Sequence, residues 1–98
     1  MGKIRETDEY KAWYNKLNDK HAKTRIDIRI KRLELGNPGK VESIGEGCSE
    51  MKINYGPGYR IYFKDTGKEI IILLLGGDKS TQNKDIELAK TIWRNMEV

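Results

Sequence analysis

The sequence predicts an α+β domain: an N-terminal strand and a two-helix hairpin packed on a small, mainly antiparallel sheet, with a further helix at the C-terminus. Three observations carry this. Apolar residues recur at helical spacing from Tyr10 to Leu33, the period falls to two between Met51 and Phe63, and helical spacing returns after Gly76-Gly77. Alternating blocks of this kind fit helices gathered against an antiparallel sheet. The 98 residues make one domain, 1–98, with no length for a second.

Residues 3–6 form a candidate edge strand. Thr7 is placed to cap a helix whose first turn carries Asp8 and Glu9, where carboxylates suit the helix dipole. Tyr10, Trp13, Tyr14 and Leu17 then fall at i, i+3, i+4 and i+7. Asn18-Asp19 interrupts the pattern, and Asp19 can cap a second helix with Ala22, Ile26, Ile30 and Leu33 on its apolar stripe. Gly36 supplies the left-handed residue that ends a helix, and Asn37-Pro38-Gly39 bars continuation. Residues 41–45 read as a weak strand. Met51, Ile53 and Tyr55 alternate with Lys52 and Asn54, Gly56-Pro57-Gly58 turns the chain, and Tyr59, Ile61 and Phe63 alternate with Arg60, Tyr62 and Lys64. After the turn at Asp65-Thr66-Gly67, the unbroken run Ile70 to Leu75 predicts a central strand covered on both faces. Ser80 or Thr81 caps a last helix that buries Ile86, Ala89, Ile92, Trp93 and Met96.

Several classes are excluded by composition. No apolar run approaches the roughly 18–20 residues of a membrane-spanning helix. Cys48 is alone, which rules out a disulfide framework. The N-terminal residues lack a signal-like apolar segment, and Glu6 stands where a myristoylation motif needs Ser or Thr. The expectation is a cytoplasmic domain without membrane attachment. Nineteen basic residues against 15 acidic ones leave a formal charge of +4, which favours an anionic partner.

The hairpin at Gly56-Pro57-Gly58 brings most of the candidate chemistry together. With those three residues as the loop, Tyr55 faces Tyr59, Asn54 faces Arg60, Lys52 faces Tyr62 and Glu50 faces Lys64. Lys52, Asn54, Arg60, Tyr62 and Lys64 then share one side of the sheet, while Met51, Ile53, Tyr55, Ile61 and Phe63 share the side against the helices. Clustered cations and a phenol suit a phosphodiester, which Arg grips in a bidentate manner and on whose bases Tyr can stack. The same residue types also line ordinary solvated sheet faces.

Two other sets are weaker. Gly76-Gly77-Asp78-Lys79-Ser80 joins the central strand to the last helix, where exposed amides and Lys79 could attract an anion. It is not a Walker A loop, because Asp78 and Leu73 stand where that pattern needs Gly; a plain strand-to-helix turn fits equally. Arg25, Arg29 and Arg32 form a basic stripe on the second helix that could hold nucleic acid or an acidic partner, or simply snorkel along a solvated flank. His21, the single histidine, has no second histidine to work with, and Cys48 has no catalytic context. No Cys, His and carboxylate set has metal-ligand spacing, and no cofactor is implied.

Taken together, Tyr55-Gly56-Pro57-Gly58-Tyr59-Arg60-Ile61-Tyr62-Phe63, the stretch from Leu73 to Gln82, Asp85-Ile86 and Ala89 resemble the HigB-like addiction module killer proteins of the RelE/ParE toxin superfamily. Ala22, Arg25, Ile26, Arg29, Ile30, Arg32, Leu33, Gly36-Asn37, Gly45-Glu46-Gly47, and Trp13 with Leu17 fit the same pattern, so the similarity covers nearly the whole chain. The resemblance implies a RelE-like fold and the toxin of a type II toxin-antitoxin module, neutralised by a cognate antitoxin. Many such toxins cut mRNA in the ribosomal A site; ParE-type members instead poison DNA gyrase. The toxin-antitoxin complex commonly binds its own operator DNA.

Metal-free RNA cleavage turns the 2′-hydroxyl on its own phosphate. A base must take the hydroxyl proton, the phosphorane charge must be stabilised, and the leaving oxygen must be protonated. Arg60 and Lys79 are the expected phosphate clamps, with Lys52 or Tyr62 as the proton carrier; Lys52, set among cations, is expected to have a lowered pKa. Asn54, Lys64, Arg25, Arg29 and Arg32 are expected to hold RNA. Several RelE- and HigB-type enzymes use a His or Tyr near the C-terminus, whereas this chain has Trp93, Arg94, Asn95 and Met96 there. That departure keeps the non-catalytic, ParE-like alternative open.

Overall fold

The computed structural model describes residues 3–96, so Met1-Gly2 at the start of the chain lies outside the described residues. The order is β1 (Lys3–Glu6), α1 (Asp8–Lys16), α2 (Lys20–Glu34), β2 (Glu42–Gly45), β3 (Cys48–Ile53), β4 (Tyr59–Asp65), β5 (Ile70–Gly77), a 3-10 turn (Lys79–Thr81) and α3 (Gln82–Asn95). The expected α+β arrangement is present. The five strands run β1-β5-β4-β3-β2; β1 pairs parallel to β5, and the remaining pairs are antiparallel.

Local chemistry sets the helix ends as the sequence predicts. The Thr7 hydroxyl accepts from the Tyr10 amide, and Asp19 accepts from the His21 and Ala22 amides. Gly36 ends α2 at a φ of 84°, a conformation in which a Cβ is strained. The last helix differs slightly. Asp78 caps the 3-10 turn by accepting from the Ser80 amide, and Thr81 precedes α3 without capping it through its side chain.

Two apolar layers sandwich the sheet. The α1–α2 hairpin packs Tyr10, Ala22, Ile26 and Leu33 on Met51, Ile53, Ile61, Phe63, Ile71 and Leu73. On the opposite side, α3 sets Ala89, with Ile86, Ile92 and Trp93 beside it, over Cys48, Tyr62, Ile72, Leu74 and Leu75. Strand β5 is therefore apolar throughout because both of its faces are covered. Its pairing with β4 shifts between Tyr62, opposite Leu75, and Phe63, opposite Leu73. Leu74 is the extra residue of this bulge, so Leu74 and Leu75 both face α3 and alternation resumes from there. Gly76 then lies under the Trp13 ring and Gly77 under the Asp85 carboxylate, with no room at either for a Cβ.

The β3–β4 register corrects the expected hairpin. Ile53 pairs with Tyr59, Lys52 with Arg60, Glu50 with Tyr62 and Cys48 with Lys64, so residues 54–58 form the connection. The pairing is two residues away from the one expected from a three-residue loop. An even slip leaves every side chain on its predicted face while changing its neighbours. No helix among the described residues is long and apolar enough to cross a membrane.

Candidate functional site

The C-terminal end of α2, the loop after it and the β3–β4 pair enclose a groove of about 520 Å³. Arg29, Arg32, Lys40, Lys52 and Arg60 line it, against the carboxylates of Glu42 and Glu50. A shallower depression of about 390 Å³ shares Lys52, Asn54 and Arg60, crosses the 55–58 turn and reaches Lys79. The shared residues join the two into one cationic track.

Arg60 sits at its floor. It is only 5% exposed, a degree of burial that an arginine sustains only among polar partners. Its Nη1 donates to the Gly58 carbonyl, and its Nε lies 3.7 Å from Glu50 Oε2, an ion pair outside hydrogen-bond distance. Nε has no hydrogen-bond partner among the described residues. Glu50 is 7% exposed and accepts from Gln82 Nε2 at 2.9 Å, which ties the start of α3 to the groove. The turn is built around this guanidinium. Gly58 adopts a φ of +77°, a Cβ on it would stand 3.1 Å from Arg60 Nη1, and the Pro57 carbonyl accepts the Lys79 amide at 3.4 Å.

The expected site residues divide accordingly. Lys52 and Arg60 are cross-strand partners, Asn54 lies just beyond β3, and Lys79 docks on the turn, so these four are brought together. Arg32 lines the groove. Arg29 also lines it, yet its guanidinium donates to the carbonyls of Lys52 at 2.8 Å and Pro38 at 3.2 Å, strapping α2 to β3. Burial, then the neighbouring Arg32 charge, lowers its pKa.

Three of the expected site residues lie outside the groove. Tyr62 is on the predicted side but sealed beneath α3 at 0% exposure. Burial, then the nearby Glu50 charge, raises the phenol pKa, so it cannot serve as a base at neutral pH; its hydroxyl makes no hydrogen bond of good geometry among the described residues. Lys64 lies near the other end of α3, its ammonium 5.0 Å from the centre of the Trp93 ring. Arg25 stacks 4.6 Å over Tyr55 and does not line the groove.

The glycine-rich junction is explained by packing. Asp78 accepts from Ser80 and Asp85 accepts from Thr81, so the protein's own carboxylates hold groups of the turn and the start of α3. Cys48 is buried, and burial raises its thiol pKa, against a nucleophilic role. Glu50 and Gln82 are the functional candidates that sequence reasoning missed. Alternation already put Glu50 on the face of Arg60, but the expected register paired it with Lys64. Lys40, in the loop after α2, carries no local pattern that would have marked it.

No protein-family model matches the chain. A Haemophilus influenzae protein described as an uncharacterized protein is 46% identical to it over 89 residues, spanning 91% of this chain and 90% of that protein.

Proposed function

We propose a function for a chain that belongs to the same family as this Haemophilus influenzae protein: it is the toxin of a type II toxin-antitoxin module, of the RelE/ParE superfamily, and a ribosome-dependent mRNA endonuclease. The observation that carries the reading is the Arg60–Glu50 pair at the floor of a cationic groove, with Lys52 exposed beside it. A phosphodiester track needs a line of cations, and Arg32, Lys40, Lys52 and Lys79 supply one. Transesterification needs a base and a fixed positive charge close together, and Glu50 and Arg60 supply those.

In this mechanism the Glu50 carboxylate takes the 2′-hydroxyl proton. The 2′-oxygen forms a bond to its own phosphorus, Arg60 stabilises the charge on the phosphorane, and the bond to the 5′-oxygen breaks. The Lys52 ammonium gives that oxygen a proton. The products are a 2′,3′-cyclic phosphate and a 5′-hydroxyl end. Glu50 thereby replaces Tyr62, which is inaccessible, in the basic role.

A second reading draws on a specific observation. Tyr62 is buried, and the last turns of α3 bring no histidine or tyrosine to the groove, so a ParE-like inhibitor that binds DNA gyrase without cutting would need none of this chemistry. Expression of the chain followed by mapping of new RNA 5′ ends separates the two. New 5′-hydroxyl ends within translated codons, lost in Glu50→Gln and Arg60→Ala, support cleavage. Intact messages with broken chromosomes overturn it in favour of gyrase.

A further inference from the structure

We infer, resting on the cleavage mechanism proposed above, that Gln82 is a positioning residue for that reaction. Its side-chain amide fixes one oxygen of Glu50, and the other oxygen is left to take the 2′-hydroxyl proton.

A base needs direction as well as charge. The terminal torsion of a glutamate is broad, yet proton transfer works only within hydrogen-bond reach. Arg60 does not supply the direction. Its Nε stands 3.7 Å from Glu50 Oε2, near enough to attract and too far to hydrogen-bond. Gln82, which lines the groove beside Glu50, donates from Nε2 to the same Oε2 at 2.9 Å. Both contacts fall on Oε2, and neither falls on Oε1. The remaining neighbours do not take this part. Tyr62 on β4 and Glu42 on β2 are the register partners of Glu50. The Tyr62 hydroxyl makes no hydrogen bond of good geometry among the described residues, and Glu42 is an exposed carboxylate that can only repel. Lys52, next along the same face of β3, forms no ion pair with Glu50 among the described residues.

A neutral donor suits the task. Arg60 already balances the carboxylate charge, and a second cation in place of Gln82 would hold Glu50 while weakening its attraction for a proton. The amide adds direction without charge. Its backbone is held as well. Gln82 is the first residue of α3. Just before it, Thr81 donates to Asp85, whose carboxylate lies against Gly77 on β5. The Lys79 amide donates to the Pro57 carbonyl at 3.4 Å. The turn that delivers Gln82 is thus fastened to β5 and to the β3–β4 connection, and the amide reaches Glu50 from a fixed base.

The test is single-turnover cutting of a message on purified ribosomes, by the full chain and by two variants. Gln82→Met keeps the side-chain length and removes the donor. It should slow the cutting step about 10- to 100-fold and leave affinity for the ribosome-bound message unchanged. Gln82→Glu puts a second carboxylate beside the base. A like charge keeps the proton on to higher pH, so the acid limb of the pH–rate profile should move up by about one unit or more. Rates are taken per folded molecule, measured by circular dichroism, and either variant is sufficient alone. Cutting by Gln82→Met at the parent rate, a loss confined to message affinity, or an unmoved acid limb in Gln82→Glu overturns the role of Gln82; the mechanism itself still stands if Glu50→Gln stops cutting. A parent chain that leaves messages intact, or full cutting by Glu50→Gln, removes the mechanism and this role together.

Discussion

On the α3 side of the sheet, one run of alternating residues meets two different surroundings. At Lys52 and Arg60 the face opens into a cationic groove; one step along the same strand, Tyr62 is shut under Ala89 and its neighbours, and Lys64 lies over Trp93. Strand geometry put all four on one side, but it did not decide which of them would meet water. The cover did. Helix α3 begins beside Glu50 and ends with its own Trp93 beside Lys64, so the same residue pattern yields a binding floor at one end and an apolar layer at the other.

The comparison is broken most forcefully at Tyr62. If it belongs to the covered half, Tyr62→Ala should cost about 3–5 kcal/mol, the range for truncating a buried aromatic ring, read from urea denaturation. Tyr62→Phe should be neutral or gain up to about 1 kcal/mol, since its hydroxyl lacks a well-formed hydrogen bond among the described residues, and should cut RNA as fast as the parent. A large loss of cutting in Tyr62→Phe would return the phenol to the mechanism.

The open half is tested at Arg60. Arg60→Ala should lower cleavage about 10²–10³-fold, equivalent to about 2.7–4 kcal/mol in the barrier, as for removal of one fixed transition-state donor. Lys64→Ala, at the covered end, should leave the cutting rate unchanged in the same assay. The β5 bulge offers a smaller effect. Gly76→Ala places a methyl group against the Trp13 ring and should cost about 1–3 kcal/mol in chemical denaturation, through overpacking.

The smallest effect concerns the pair at the far end of α3. Arg94 donates to both Glu46 oxygens, at 2.7 and 3.0 Å, and these bonds hold the carboxyl pKa below its ordinary value of 4.5. A depressed folded-state pKa stabilises the protein above the unfolded value, and that contribution is lost as pH falls through the folded value. The urea midpoint should therefore fall slightly below about pH 4.5, and Arg94→Ala should flatten that part of the profile.

Much of the fold was legible because its signals are local. The Thr7 and Asp19 caps, Gly36 and the unbroken apolar run of β5 each act within a few residues of themselves. The β3–β4 pairing was less so. Alternation sets the face from one strand alone, whereas register depends on loop length, and five residues rather than three make this connection. That difference hid the meeting of Glu50 with Arg60. The burial of Tyr62 and the strapping role of Arg29 depend on where α3 and the loop after α2 come to rest, which no periodicity in β4 or α2 encodes. Gly76 and Gly77 read as a phosphate-friendly turn, yet their bareness serves an indole and a carboxylate.

Leu74 carries a consequence for how the gene can tolerate change. Removing this single codon would restore plain alternation and leave Leu75 opposite Tyr62, Gly76 beneath the indole and Gly77 beneath the Asp85 carboxylate, so the sheet should accept the loss. One residue inserted between Leu75 and Gly77 would instead rotate the segment leaving β5 and carry the Lys79 amide off the Pro57 carbonyl to which it donates. Spacing between Leu75 and Lys79 is thus a fixed length in this architecture, while the exposed tip at Gly67-Lys68 is where insertions should be absorbed.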